Sequence, residues 1–238
     1  YVKVPASLDF RHDGSFSPAK AHGSGSYCLT VRLPQNTDAM ALYVQQIYSA
    51  AELSVNGVTV YNAGTVGRSA RETLPGFNPG IIPVSARKGE TLSIVCRVAN
   101  FSYYKGGILS SVYFGNEQNI VRFWNRITWH EAVLFGIFFI ASAYHLALYA
   151  LRRKDLPSLF FGLSCAFYSI RILSSDSMLI LQAHPSIPWE VLLKVQYISF
   201  YAAFGFFILF LRELFPAEFP KKAVLAIEAL LCAITAST

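Results

Sequence analysis

Apolar residues follow two rhythms along this chain, and the change comes near residue 131. Before it, short apolar stretches alternate with polar positions between Pro, Gly and Asn. After it, the apolar runs lengthen and almost lose their charges. Ala132 to Leu151 reads AVLFGIFFIASAYHLALYAL, 20 residues with no Asp, Glu, Lys or Arg. At ~1.5 Å per residue it covers ~30 Å, the thickness of a bilayer's hydrocarbon core. A soluble core helix of that length would carry charges on its outer face. The stretch therefore predicts a transmembrane helix.

Residues 1–115 read as β structure. Val2–Val4 is a short strand, Ser26–Leu33 alternates, and Met40–Ile47 is more continuously apolar. Glu52–Val55 and Val58–Tyr61 flank Asn56-Gly57, the dipeptide preferred in type I′ hairpin turns. Ile81–Val84, Thr91–Ala99 and Ile108–Phe114 complete the set. Short strands without an intervening helix pattern predict an all-β jelly roll or β-sandwich. Residues 5–25 and 62–80 are long, polar and Gly/Ser-rich, a length typical of functional or mobile loops.

Residues 116–131 (NEQNIVRFWNRITWHE) have helical spacing at Ile120, Val121, Phe123, Trp124 and Ile127. Trp124 and Trp129 sit where an aromatic belt meets headgroups. This predicts a connecting interfacial helix. The membrane region, 132–238, then holds spans at 132–151, 158–173, 191–211 and 223–238, the last cut short. The fold class expected is a β-sandwich followed by an α-helical multi-pass membrane domain of about four helices. Because the chain opens in YVKV without Met and stops in an apolar run, it is expected to be part of a longer protein.

Charge placement orients these spans. Arg152, Arg153 and Lys154 fill the first short loop, Ser174–Glu190 has no Lys or Arg, and the third loop carries Arg212, Lys221 and Lys222. The positive-inside rule then puts the sandwich outside the cytoplasm. This predicts a multi-pass membrane protein with a periplasmic or extracellular N-terminal domain.

Composition agrees with this division: 53% of residues are hydrophobic and 14% charged, against ~25% charged in soluble domains. The net charge of +6 comes from topology-setting loops, with no basic run or helix face suited to nucleic acid. Of the four cysteines, Cys28 and Cys96 fall on opposite faces of their strands, which argues against a bridge between them. No metal-ligand spacing, nucleophile elbow or phosphate loop appears, so no cofactor is expected. A glycosidase would need two carboxylates in an aromatic cleft. Asp9, Asp13, Asp38, Glu52, Glu72 and Glu90 lack that setting, and no enzyme activity is expected within these residues.

Several charges sit in or beside apolar spans. Glu131, Arg171, Glu190 and Lys194 would share one depth, with His130 and Asp176 near them. They either form a polar coupling cluster, as Arg171–Glu190 or Glu131–Lys194 pairs, or Arg and Lys snorkel unpaired to the interface. His145 and Glu228 share a second depth near the other membrane edge, where they either bond each other or face a polar gap.

The segments AELSVNGVTVYNAGTVG and LSIVCRVANFSYYKGGI together resemble a galactose-binding-like jelly roll. YHLALYALRRKDLPSLFFGLSCAFYSIRIL and PSIPWEVLLKVQYISFYAAFGFFILFLRELFP resemble the membrane region of bacterial seven-transmembrane receptors with diverse intracellular signalling modules. The resemblance covers essentially all the chain. It implies a bacterial inner-membrane location, an extracytoplasmic sensory domain, a seven-helix domain and a cytoplasmic output module such as a kinase or cyclase. It also suggests carbohydrate-like ligands.

Within the sandwich, Tyr103, Tyr104 and Lys105 close a strand with ring faces and hydrogen-bonding tips suited to sugars. Arg11 and His12 in the first long loop, and Arg68 and Arg71 in the second, would add polar contacts. Alternatively, Tyr103 and Tyr104 pack against the membrane surface or under a loop. The function expected is a membrane receptor whose sandwich detects a ligand and whose helices relay it. The other reading is a transporter or channel component, with His145 and Glu228 as its midplane polar groups. Expected partners are the bilayer, an extracytoplasmic ligand of carbohydrate type and a second copy of the chain.

Overall fold

In a computed structural model of the chain, the described residues are 6–7, 22–35 and 39–237, with side chains other than those of 6–7, 221–223, 228, 232, 234 and 236–237. The expected strand Val2–Val4 lies outside them. The chain divides into two compact units, residues 1–126 and 127–238.

The first unit is a sandwich. One sheet runs β2 (Gly23–Arg32), β7 (Thr91–Asn100), β4 (Ala50–Val55), β5 (Val58–Ala63), all antiparallel. The second runs β6 (Gly80–Val84), β3 (Met40–Val44), β9 (Tyr113–Asn116). A two-stranded pair joins β1 (Ala6–Ser7) to β8 (Gly107–Ile108). The period-2 pattern of β7 decides its facing: Leu92, Ile94, Cys96 and Val98 point into a core shared with Leu42 and Val44 of β3 and Leu53 and Val55 of β4. Burying these side chains is the main stabilising term of the unit. Tyr27 faces Cys96 and Cys28 faces Val95. Cys28 is thus exposed, Cys96 buried, and both are free thiols, as the strand parity required. Burial pushes the Cys96 thiol up to about 12.

The β4–β5 hairpin turns at Asn56 and Gly57, with φ of 50° and 80°, the positive pair that a type I′ turn needs. The Asn56 side chain also accepts from the Ser93 N–H at 2.8 Å, fixing the turn to β7. Ile108–Phe114, expected as one strand, is two: β8 and β9 belong to different sheets. Ser110 and Ser111 lie at the crossing, where no ladder partner is needed. Met40–Ile47 leaves its strand after Val44, yet Ile47 still reaches the core.

Helix α1 (Glu117–Leu151) is one unbroken element of 35 residues, about 52 Å long. Asn116 caps it by accepting from the Gln118 N–H at 3.0 Å. Its opening turns lie in the first unit and cover the far face of β3. Tyr43 meets Trp124 edge-on at 5.0 Å and Phe123 at 6.0 Å, and stacks on Tyr113 at 5.8 Å.

The second unit contains the rest of α1 with α2 (Leu156–Leu173), α3 (Leu179–Ala183), α4 (Trp189–Leu214) and α5 (Lys221–Ser237). Asp155 caps α2 by accepting from the Ser158 N–H at 3.4 Å and also accepts from the Ser158 hydroxyl at 2.7 Å, and Pro157 suits the first turn. The buried positions of α2 and α4 are largely small and polar: Gly162, Ser164 and Ser169 on one, Ser199, Ala203 and Gly205 on the other. The Ser164 hydroxyl donates to the Ala203 carbonyl at 2.8 Å. Against α1, a Cβ on Gly162 would lie 2.9 Å from Leu146, and Phe138 meets Tyr168 at 4.6 Å. Small residues letting helices approach is the packing mode of membrane bundles. Helices α1, α2 and α4 are long and apolar enough to cross a membrane. The short helix α3 inside the second loop had no sequence signal.

Candidate functional site

Two groupings of the expected residues emerge, one in each unit. In the sandwich, Tyr48 is the centre of an aromatic row. It stacks on Tyr103 at 4.8 Å, Tyr103 meets Tyr104 at 4.5 Å, and Phe77 meets Tyr48 edge-on at 5.2 Å. The Lys105 ammonium sits 5.3 Å above the Tyr104 ring. Local bonds fix the row: the buried Asn100 side chain donates to the Tyr103 carbonyl at 2.7 Å and accepts from its N–H at 3.1 Å. Tyr48 and Gly107 exchange backbone bonds of 3.2 and 2.8 Å. Tyr104 remains 57% exposed.

Arg68 and Arg71 are exposed on the loop after β5. That loop is internally built: Thr65 and Leu74 pair, and Thr73 accepts from the Gly67 N–H while donating to the Ser69 carbonyl. It brings Phe77, rather than an arginine, to the aromatic row. Arg11 and His12 lie outside the described residues. Tyr48 and Phe77 were not foreseen; a Tyr just past a buried strand (VQQIYSA) was the available signal.

The described carboxylates of the sandwich serve local structure. Glu52 pairs with Arg97 at 3.3 Å, Glu72 accepts from the Arg68 N–H at 3.0 Å, and Glu90 accepts from the Arg87 N–H at 2.7 Å and the Asn56 amide at 3.0 Å. Asp9, Asp13 and Asp38 lie outside the described residues.

In the second unit, Glu131 is buried and accepts from both the N–H and the hydroxyl of Ser177. Lys194 and Glu190 are exposed, and the Arg171 guanidinium lies 5.9 Å above the Phe200 ring. Among the described residues neither Glu131–Lys194 nor Arg171–Glu190 is an ion pair. The partner of the buried carboxylate is a serine. His145 packs its ring on Phe161 at 4.7 Å, with Nδ1 buried and unbonded among the described residues. The Glu228 side chain, its expected partner, lies outside the described residues.

Residues 128–238 match the family described as 7TM diverse intracellular signalling. The matched residues are almost all of the second unit. The match covers the helices whose spans and packing are given above, three of which are long and apolar enough to cross a membrane, so the chain is a membrane protein. The sandwich is similar to parts of solved glycoside hydrolases. These include a family 2 member from Bacteroides cellulosilyticus (19% identity, 48% of this chain and 16% of that one, TM-score 0.37). Others are a β-glucuronidase of Faecalibacterium prausnitzii (21%, 42% and 16%, 0.32) and a family 2 β-galacturonidase of Eisenbergiella tayi (13%, 48% and 20%, 0.36). This chain thus spans a fifth or less of the length of those enzymes. No curated protein matches it. The sandwich is read from its own sheet order and register, ahead of the matched residues in the chain.

Proposed function

We propose that the chain is the sensing half of a membrane receptor. The sandwich lies outside the cytoplasm and takes a ligand of carbohydrate type at Tyr104. The 7TM signalling region passes the bound state to whatever output module the full-length protein carries. The observation that carries this reading is α1. Its first turns are packed on Tyr43 and Tyr113 through Phe123 and Trp124, and the same unbroken helix continues as the charge-free run from Ala132 to Leu151. A ligand acts through such an element only by binding one of its two positions better than the other. The exposed Tyr104 ring, the Lys105 ammonium and the stacked Tyr103 and Tyr48 offer a sugar an apolar face and polar edges.

The test is a titration of the full-length protein in lipid nanodiscs with neutral and acidic oligosaccharides. Tyr104→Ala is expected to weaken the tightest binder at least about tenfold, the worth of one stacking contact. If no oligosaccharide binds, or if Tyr104→Ala binds equally, the ligand assignment fails. Orientation is tested on spheroplasts: a membrane-impermeant maleimide should label the exposed Cys28 from outside. Labelling only after lysis would reverse the topology.

A further inference from the structure

Glu131 needs a physical explanation that an apolar bundle does not supply. Its side chain is 7% exposed, and a carboxylate out of water is tolerated only while it is bonded. Both bonds come from one residue: the N–H of Ser177, at 3.2 Å, and its hydroxyl. Ser177 is itself fully buried, in the turn between α2 and α3. That turn is gripped by three helices. The Ser177 carbonyl accepts from the Gln182 amide of α3 at 3.0 Å, and the buried Ser174 carbonyl accepts from the Gln196 amide of α4. Asp176 and Met178 hold φ of 34° and 48°, a left-handed backbone that non-glycine residues keep only where the surroundings impose it.

The grip is uneven. The α3 and α4 contacts are neutral amide–carbonyl bonds. The α1 contact is a charged group with all its bonds on a single serine. The other charges nearby, His130 and Asp176, are exposed, and among the described residues no cation pairs with Glu131. Separating α1 from the turn therefore leaves a buried charge unbonded, whereas keeping it satisfies both groups. Contacts of that kind have two discrete positions, engaged or released, rather than a continuum.

We infer that Glu131 and Ser177 form a latch that fixes α1 to the α2–α3 turn, and that its release is the step by which movement of α1 reaches the α2–α4 pair. The inference rests on the receptor reading for its role in signalling, but the latch itself can be measured without any ligand. Spin labels at His130→Cys and His184→Cys, in the full-length protein in nanodiscs with native cysteines replaced, report the separation between α1 and the end of α3. With the latch intact, one narrow distance is expected. Glu131→Ala and Ser177→Ala should each raise a second, longer population about tenfold, the loss expected for a charged hydrogen bond. The double variant should go no further than Glu131→Ala alone, because the two residues act as one unit. Glu131→Gln keeps an acceptor for the Ser177 N–H and should fall between, which separates unlatching from misfolding. An unchanged distance in both alanine variants, or additive effects, would overturn the latch. A distance that shifts in the variants while no ligand ever moves it would leave the latch standing and remove the sensory reading.

Discussion

The two units bury different mixtures of residue. The interior of the sandwich is Leu, Val, Ile and Tyr, while the far face of its larger sheet carries Ser26, Cys28, Thr30 and Arg97. In the second unit the buried positions of α2 and α4 include Ser158, Ser164, Ser169, Gln196 and Ser199, while Val133, Ile137, Ile140 and Phe204 point outward. Water drives the first arrangement: apolar area leaves it and polar groups stay in it. In lipid that drive is absent between helices, so close approach and hydrogen bonds across the interface hold them instead. Exposure therefore has two meanings in one chain, and substitutions can separate them.

The sharpest contrast is between two equally exposed apolar residues. Ile140 on α1 is 69% exposed and Val58 on β5 is 66% exposed. Ile140→Lys should cost about 3 kcal/mol of membrane insertion, read as loss of the glycosylated or protease-protected form in an insertion assay. Val58→Lys should change stability by no more than about 0.5 kcal/mol, read in a thermal melt. Equal effects at the two sites would mean that α1 does not face lipid.

Next in size is the sandwich core. Leu53 is fully buried among Leu42, Ile94 and Val98. Leu53→Ala should destabilise the sandwich by about 3 kcal/mol, lost contacts plus a residual cavity, seen as a lowered urea midpoint at constant slope. Gly64 follows. It has φ of 68°, and a Cβ there would lie 2.0 Å from the Leu74 carbonyl oxygen. Backbone cannot rotate aside as a side chain does, so Gly64→Ala should cost about 2 kcal/mol. Limited proteolysis of the 64–79 loop would show the change first. The thiol at Cys96 adds a pH signature. Its folded value, about 12, lies above the ordinary range near ~8.5. The neutral thiol therefore supports the fold fully below that ordinary value, and the support is lost as pH rises toward 12. Cys96→Ala should flatten this alkaline loss.

What the sequence revealed differs between the units for the same reason. Strand parity at Cys28 and Cys96, the Asn56-Gly57 turn and the charge-free run of α1 were legible because each depends on a local period or a single backbone preference. The split of Ile108–Phe114 was not, since its halves pair with strands far away in sequence. Of the two readings of the outer charges, paired or unpaired, the sequence did not decide, and among the described residues Glu131 and Lys194 form no ion pair. Charge suggests a partner of opposite sign, but long cations can extend to the interface and leave the buried carboxylate to a serine. Nothing in SSDSM marks Ser177 as that serine. Gln196, an amide inside an apolar span, was the one visible hint of polar contacts there.

The smallest expected effect tests the bundle's own rule. Ser164 is the hydroxyl that crosses from α2 to the Ala203 carbonyl of α4 at 2.8 Å. In a water-driven core, losing a buried hydroxyl's bond leaves an orphaned group at appreciable cost. Here the carbonyl of Ala203 is already within helix α4, and a hydroxyl in an inserted but unpacked helix finds other acceptors. Ser164→Ala should therefore cost only about 0.6 kcal/mol, measured by steric trapping or SDS titration in bicelles. Ser164→Leu, which keeps no bond and adds bulk at the α2–α4 contact, should cost more than Ser164→Ala. If instead the alanine variant were the worse of the two, hydrogen bonding rather than close approach would hold α2 to α4, and the contrast between the two units would narrow to one of composition.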